Sequence, residues 1–270
     1  MARTGGAGFL GFGNMAQAIA NGLLDKRAME AHEIAIFDTD PDKQAMAREH
    51  GLTVAESPEA LAAAGRGVLV LAVKPQQMTA ALEPLRPGLP KDALVVSVAA
   101  GLTTAFIDGQ LGGGFRVIRA MPNTPALVGA GITAICGNAH CSGEDLQRAK
   151  VLFEAVGAVE EVPEELMDAV TAVSGSGPAY FFYLAEALAE AGRQEGLPPE
   201  QAARLAAHTL HGAGALIHGS EDGARSLRER VTSKGGTTEA ALNAMRAAGF
   251  EAAVRQAAAA AVRRARELAG

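Results

Sequence analysis

Apolar residues follow one pattern in the first half of the chain and another in the second. In the first half they gather in short, nearly continuous runs: Ala7–Leu10, Glu33–Phe37, Val68–Val73, Leu94–Ala99, Arg116–Met121 and Gly131–Cys136. Runs rich in β-branched residues and lacking alternation suit strands buried on both faces of a parallel sheet. Between them the spacing turns helical. Met15, Ala18, Ile19, Gly22 and Leu23 predict a helix ending near Leu24. Pro41–His50 predicts a second, and Ser57-Pro58-Glu59 opens a third with proline at its first position. Strands alternating with helices predict an α/β fold with a doubly wound parallel sheet. Beyond about Pro163 the strand-like runs stop, and Ala, Glu, Leu and Arg dominate. Pro163 followed by Glu164 and Glu165 opens a helix, with acids at its positive end. A break is expected at Ser174-Gly175-Ser176-Gly177-Pro178, then helices over 179–195, 198–219, 223–231, 236–248 and 250–269. The chain therefore divides into an α/β domain, residues 1–162, and an all-helical domain, residues 163–270. Tyr180, Phe181, Phe182 and Tyr183 are expected in the helical core. Small faces such as Ala202, Ala203, Ala206 and Ala207 suit close helix packing and a dimer.

Chemistry-bearing residues collect at the predicted strand ends. Gly11-Phe12-Gly13-Asn14-Met15-Ala16 fits G-x-G-x-x-G/A, after a strand and opening a helix. Gly11 allows the tight turn, Gly13 lets the backbone approach a pyrophosphate, and Ala16 lets helix and strand pack closely. The free N–H groups of the helix start, from Gly13, Asn14 and Met15, then face the anion. Asp38 follows Ala16 at close to the offset of the acid that binds a ribose 2′-hydroxyl. A carboxylate there repels a 2′-phosphate, which leans toward NADH over NADPH. Asp38 is equally placed to form the turn Asp38-Thr39-Asp40-Pro41. Other strand ends carry Ala72-Val73-Lys74-Pro75, Ala99-Ala100-Gly101 and Met121-Pro122-Asn123-Thr124-Pro125. In such a sheet ligands bind beyond the carboxyl ends of the strands. Small residues at 99–101 would let a nicotinamide ring lie close to the backbone. Ser57 is counted with the cofactor set.

A second informative stretch is Val231-Thr232-Ser233-Lys234-Gly235-Gly236-Thr237-Thr238-Glu239, between two predicted helices. Gly235 and Gly236 would expose N–H groups where the next helix begins, an arrangement suited to a carboxylate. Ser233, Thr237 and Thr238 add directional hydroxyls. The same N–H groups would serve an ordinary helix start, capped by a threonine with Glu239 in the first turn.

Charge and composition narrow the classes. A net charge of −6 argues against a non-specific nucleic-acid role. No run is long and apolar enough for a membrane span. The few residues before the first strand leave no room for a signal peptide, so a cytoplasmic location is expected. Cys136 and Cys141 alone do not make a metal site. His208, His211 and His218 share one predicted helix without further ligands, so no metal is expected.

Taken in order, the motifs resemble those of the pyrroline-5-carboxylate reductases. The resemblance rests on Gly8–Ala16, Ala72-Val73-Lys74-Pro75, Ser97–Gly101, Arg119–Pro125, Ser174–Tyr180 and Val231–Thr238. It implies a Rossmann domain followed by a helical domain, dimers built from the helical domains, and possible assembly to decamers. It implies hydride transfer from NADH or NADPH to the C=N carbon of 1-pyrroline-5-carboxylate, giving L-proline. Ser233, Gly235, Gly236, Thr237 and Thr238 would hold the substrate carboxylate, with the Thr238 hydroxyl at the ring nitrogen as the catalytic group. Gly11, Phe12, Gly13, Asn14, Met15, Asp38, Ala72, Val73, Lys74, Pro75, Ala99, Ala100 and Gly101 would hold the cofactor. Two positions depart from the family. Lys234 stands where many members have proline, and Asp38-Thr39-Asp40 stands where NADPH users often carry a hydroxyl or amide with a basic residue. Two rival readings are a 3-hydroxyacid dehydrogenase and a non-catalytic dinucleotide-binding scaffold. The first would need a lysine on the helix after Gly177, which has none. The second has no use for a preformed carboxylate loop.

Overall fold

The protein is described here by a computed structural model covering residues 5–64 and 67–268. Residues 1–4, on which the expectation of a leaderless start rests, lie outside the described residues. Among the described residues eight strands form one sheet: β1 Ala7–Leu10, β2 Ile34–Phe37, β3 Thr53–Val54, β4 Val68–Leu71, β5 Leu94–Ser97, β6 Arg116–Met121, β7 Gly131–Gly137 and β8 Gly157–Glu161. Their order is β3-β2-β1-β4-β5-β6-β7-β8. The first six are mutually parallel, as the apolar runs predict. The sheet is not wholly parallel, however: β7 runs antiparallel to β6, and β8 pairs parallel to β7. The link from β6 to β7, Pro122–Ala130, explains the reversal. A parallel crossover needs a dozen or more residues, and this link holds only a short 3₁₀ turn at Thr124–Val128. Two strands have no apolar run to announce them. β3 has two residues, and β8 carries Glu160 and Glu161 at the sheet edge.

Helices cover both faces. They are α1 Asn14–Asp25, α2 Pro41–Glu49, α3 Pro58–Ala63, α4 Met78–Leu82, α5 Thr104–Leu111 and α6 Gly143–Glu154. Alternate strand residues feed two cores. Phe9, Ile36, Val70, Val96 and Ile118 pack with Ile19, Leu23, Leu152 and Phe153 of α1 and α6. Leu10, Leu71, Val95 and Val117 pack with Leu61, Met78, Leu82, Ile107 and Leu111 of α3, α4 and α5. With both faces covered, strand side chains such as Phe9, Ile36 and Val96 are wholly buried. Burial of each such side chain stabilises the fold by about 1.5–3 kcal/mol.

The remaining helices are α7 Met167–Val170, α8 Gly177–Gln194, α9 Pro199–Gly219, α10 Ala224–Arg230, α11 Thr237–Ala247 and α12 Phe250–Leu268. By packing, the chain forms two compact units, Met1–Gly175 with Ala261–Gly270, and Ser176–Ala260. The packing division thus falls later than the expected boundary at 162/163. Residues just beyond Pro163 are tied to the sheet. Glu164 accepts the Thr104 N–H and the Thr104 hydroxyl, both at 2.7 Å. Met167 is fully buried beside Ala134 and Cys136. Arg119 of β6, 4 % exposed, lies 3.4 Å from Asp168, which also lies 3.6 Å from Arg266 of α12. The expected interruption of the helix is present: α7 ends at Val170, a π-helical turn spans Thr171–Gly175, Ser176 is a bend, and α8 starts at Gly177. Within the second unit, α8 packs on α9 through small residues, and Ala202 and Ala206 are buried as their pattern predicts. Tyr180, Phe181, Phe182 and Tyr183 are not core residues of this chain. They are 37, 57, 64 and 74 % exposed, because none of the described elements covers them. None of the described helices is long and apolar enough to cross a membrane.

Candidate functional site

The carboxyl edge of the sheet gathers most of the predicted cofactor residues, around the point where β1 is flanked by β2 and β4. Gly11 has φ +91°, and a Cβ there would sit 2.8 Å from the Ala72 carbonyl oxygen, so only glycine fits. Its N–H donates to the Phe37 carbonyl at 2.8 Å, tying the turn to β2. Gly13 differs: a Cβ there would meet no atom within 4 Å. That open space lies at the N-cap of α1, which has no side-chain cap. The first-turn N–H groups, from Asn14 and Met15, therefore lack intrahelical partners and point toward the open side. This cradle fits the pyrophosphate of a dinucleotide.

Asp38 is 8 % exposed and heavily engaged. Its Oδ2 accepts the Phe12 N–H at 2.7 Å, and its Oδ1 accepts the Asp40 N–H at 2.9 Å. Lys43 Nζ stands 3.4 Å from the same carboxylate. The turn-forming role is thus present, and with it a clamp across the glycine turn, since Phe12 is the residue between Gly11 and Gly13. Ala72 and Val73, half-buried, follow β4, and exposed Lys74 precedes a 3₁₀ turn begun by Pro75. Ala99 is buried after β5, Ala100 is half-buried, and Gly101 has φ +81°. Ser57 stands apart in role: its Oγ accepts the Ala60 N–H at 3.1 Å and caps α3. The same hydroxyl bonds the Glu59 side chain and lowers that carboxyl's pKa. A cavity of about 360 Å³ in this unit lies elsewhere. It is lined by Leu61, Val68, Leu89, Asp92, Arg116 and Arg148 and includes none of the predicted site residues.

The second predicted cluster lies in the other unit and is described on its own. The Gly236 N–H donates to the Ser233 carbonyl at 3.0 Å, closing a turn. Gly235 has φ +73° and is exposed, with nothing within 4 Å of where a Cβ would stand. Gly236 is the N-cap of α11, without a side-chain cap. The expected threonine cap is therefore not made. Instead the Glu239 carboxylate reaches back to accept the Gly235 N–H at 2.7 Å. An ionised acceptor binds a backbone N–H more strongly than a hydroxyl does. Ser233 and Thr237 are exposed, and Thr238, second in α11, is half-buried.

Neither cysteine is set up for chemistry. Burial pushes the Cys136 thiol up to about 12 and the Cys141 thiol up to about 11, so both are neutral at physiological pH. His208, His211 and His218 are exposed on α9. The chain Thr104–Glu164–Arg119–Asp168–Arg266 went unread in the sequence pattern. The one available signal was an arginine inside the apolar β6 run, a charge that needs buried partners.

Residues 164–268 match the family described as pyrroline-5-carboxylate reductase dimerisation, and residues 7–101 match NADP oxidoreductase, coenzyme F420-dependent. A pyrroline-5-carboxylate reductase of Pseudomonas aeruginosa is 44 % identical over 263 residues, covering 97 % of this chain and 96 % of that protein. One from Synechocystis is 42 % identical, covering 97 % of each. The solved pyrroline-5-carboxylate reductase of Coxiella burnetii superposes with a TM-score of 0.92 at 36 % identity, covering 99 % of both chains. The Plasmodium falciparum pyrroline carboxylate reductase, solved with NADP bound, gives 0.87 at 28 % identity and 98 % coverage of both. The chain belongs to the pyrroline-5-carboxylate reductase family.

Proposed function

We propose that the protein reduces 1-pyrroline-5-carboxylate to L-proline with a reduced nicotinamide dinucleotide. The end-to-end likeness to reductases of that name carries this reading. The two glycine-rich helix starts supply the matching chemistry, one suited to a pyrophosphate and one to a carboxylate. When bound, the nicotinamide supplies the hydride. The protein's part is to bind and orient. Gly13, Asn14 and Met15 hold the pyrophosphate, with Gly11 and Phe12 shaping the turn. Ala72, Val73, Lys74 and Pro75 and Ala99, Ala100 and Gly101 flank the rest of the dinucleotide, and Asp38 faces its ribose. Ser233, Gly235, Gly236 and Thr237 hold the substrate carboxylate. The Thr238 hydroxyl hydrogen-bonds the ring nitrogen. A cyclic imine is basic enough to be protonated in part, and the iminium accepts hydride readily. Orientation then supplies most of the rate, which fits a site without an acid–base pair. The absence of lysine on α8 separates the protein from 3-hydroxyacid dehydrogenases.

The finer reading is that Asp38 favours NADH, and that self-association through the helical unit extends from dimers to decamers in the cytoplasm. The test is the initial rate with 1-pyrroline-5-carboxylate and NADH or NADPH at matched concentrations. Faster turnover with NADH is expected. Faster turnover with NADPH would keep the reaction and discard the role of Asp38. Cofactor binding without turnover would point to the scaffold reading.

A further inference from the structure

The carboxylate loop of the helical unit already contains a carboxylate. Glu239 is the third residue of α11, so its side chain can fold back over the helix start. It does so, and Oε2 accepts the Gly235 N–H at 2.7 Å. The other glycine N–H, of Gly236, is held by the Ser233 carbonyl at 3.0 Å. Gly235 is left-handed and exposed, so the loop that carries the N–H occupied by Glu239 is open to solvent and to an external anion. An N–H with one good acceptor position serves one carboxylate at a time. Two carboxylates about 4 Å apart repel by about 1 kcal/mol even in water.

We propose that Glu239 is an internal occupant of the substrate-carboxylate position, and that a carboxylate-bearing substrate binds by displacing it. This rests on the reading of residues 233–238 as the carboxylate site. Glu239 is then a specificity-determining residue. It raises the threshold for any anion at this loop, and a ligand displaces it by making contacts beyond its carboxylate. The displaced side chain remains in the first turn of α11, where the positive end of the helix still stabilises it. A purely structural Glu239 has the opposite consequence: removing it would loosen the loop and weaken substrate binding.

The experiment compares the unsubstituted protein with Glu239→Ala and Glu239→Gln. It measures KM for 1-pyrroline-5-carboxylate, KM for NADH and NADPH, inhibition by L-proline, and Tm. In Glu239→Ala, KM for the imine and the inhibition constant for L-proline are expected to fall together, by about five- to tenfold, the worth of one charge-assisted hydrogen bond at an exposed site. KM for the cofactor is expected to stay unchanged. Glu239→Gln keeps a neutral acceptor at the same reach, so its fall is expected to be smaller. An unchanged or raised KM for the imine in Glu239→Ala, with turnover intact, overturns the proposal alone. No turnover by the unsubstituted protein overturns the reading of the loop and this proposal with it.

Discussion

Two residues separate binding from chemistry. Thr238 lies at the second position of α11, half-buried, with its hydroxyl not used as the helix cap. If that hydroxyl holds the ring nitrogen, Thr238→Ala removes a hydrogen bond made to a partly charged group. A fall of about 10- to 100-fold in kcat is expected, with cofactor KM unchanged; an unaltered rate would remove Thr238 from the mechanism. Asp38 makes a different prediction. Its carboxylate binds the Phe12 and Asp40 N–H groups, so Asp38→Ser changes the turn as well as the charge. The preference for NADH over NADPH is expected to narrow, and the affinity for both cofactors to fall by about threefold to tenfold as Phe12 loses a charged acceptor. Fluorescence titration with each cofactor separates the two effects. An unmoved ratio with weaker binding would leave Asp38 as a clamp only. The position of Asp38 was legible in the sequence because the offset from a glycine turn is fixed by the βαβ unit. Its bond to Phe12, twenty-six residues away, was not, because only the folded sheet brings the two turns together. Glu239 was legible as a first-turn acid but not as a loop occupant, since that depends on the φ of Gly235.

Among the elements, the parallel strands and the long helices were legible because each carries its own period. The antiparallel β7 was anticipated as a strand but not in its direction, which is set by the length of the link before it. β3 and β8 escaped notice because an edge strand needs no apolar run. The short helix pieces after Pro163 show how one side chain fixes an element. Glu164 accepts two hydrogen bonds from Thr104 at the start of α5 and stands 3.9 Å from the Arg119 guanidinium. Glu164→Ala leaves the buried Arg119 with Asp168 as its remaining carboxylate and takes an acceptor from the α5 start. A loss of about 2–3 kcal/mol is expected, read as a lower urea midpoint with an unchanged slope. Glu164→Gln, which can still accept one bond, is expected to lose about half as much. An equal midpoint for all three proteins would show that the contact contributes nothing to stability.

For the whole molecule, the exposed aromatic side of α8 is the feature that one chain does not satisfy. Phe181, Phe182 and Tyr183, with Leu216 and Ile217 on α9, are more than half exposed. Exposed apolar patches of this kind mark association surfaces, in keeping with the dimerisation family to which the helical half matches. Phe182→Glu places a charge on that surface. A shift toward monomer is expected in sedimentation velocity, and an unchanged assembly would show that Phe182 lies outside the contact. The path of the chain has a consequence of its own. The second packing unit, Ser176–Ala260, is inserted between Gly175 and the α12 segment from Ala261 that belongs with the first. Ala265, 5 % exposed, and Arg266, beside Asp168, are therefore translated only after the whole insertion. At ribosomal speeds of about 5–20 residues per second, the first unit waits roughly 4–17 s for its last piece. During that interval a nascent chain carries Asp168 without Arg266 and an open seat for the α12 segment from Ala261, so the unit made first is completed last.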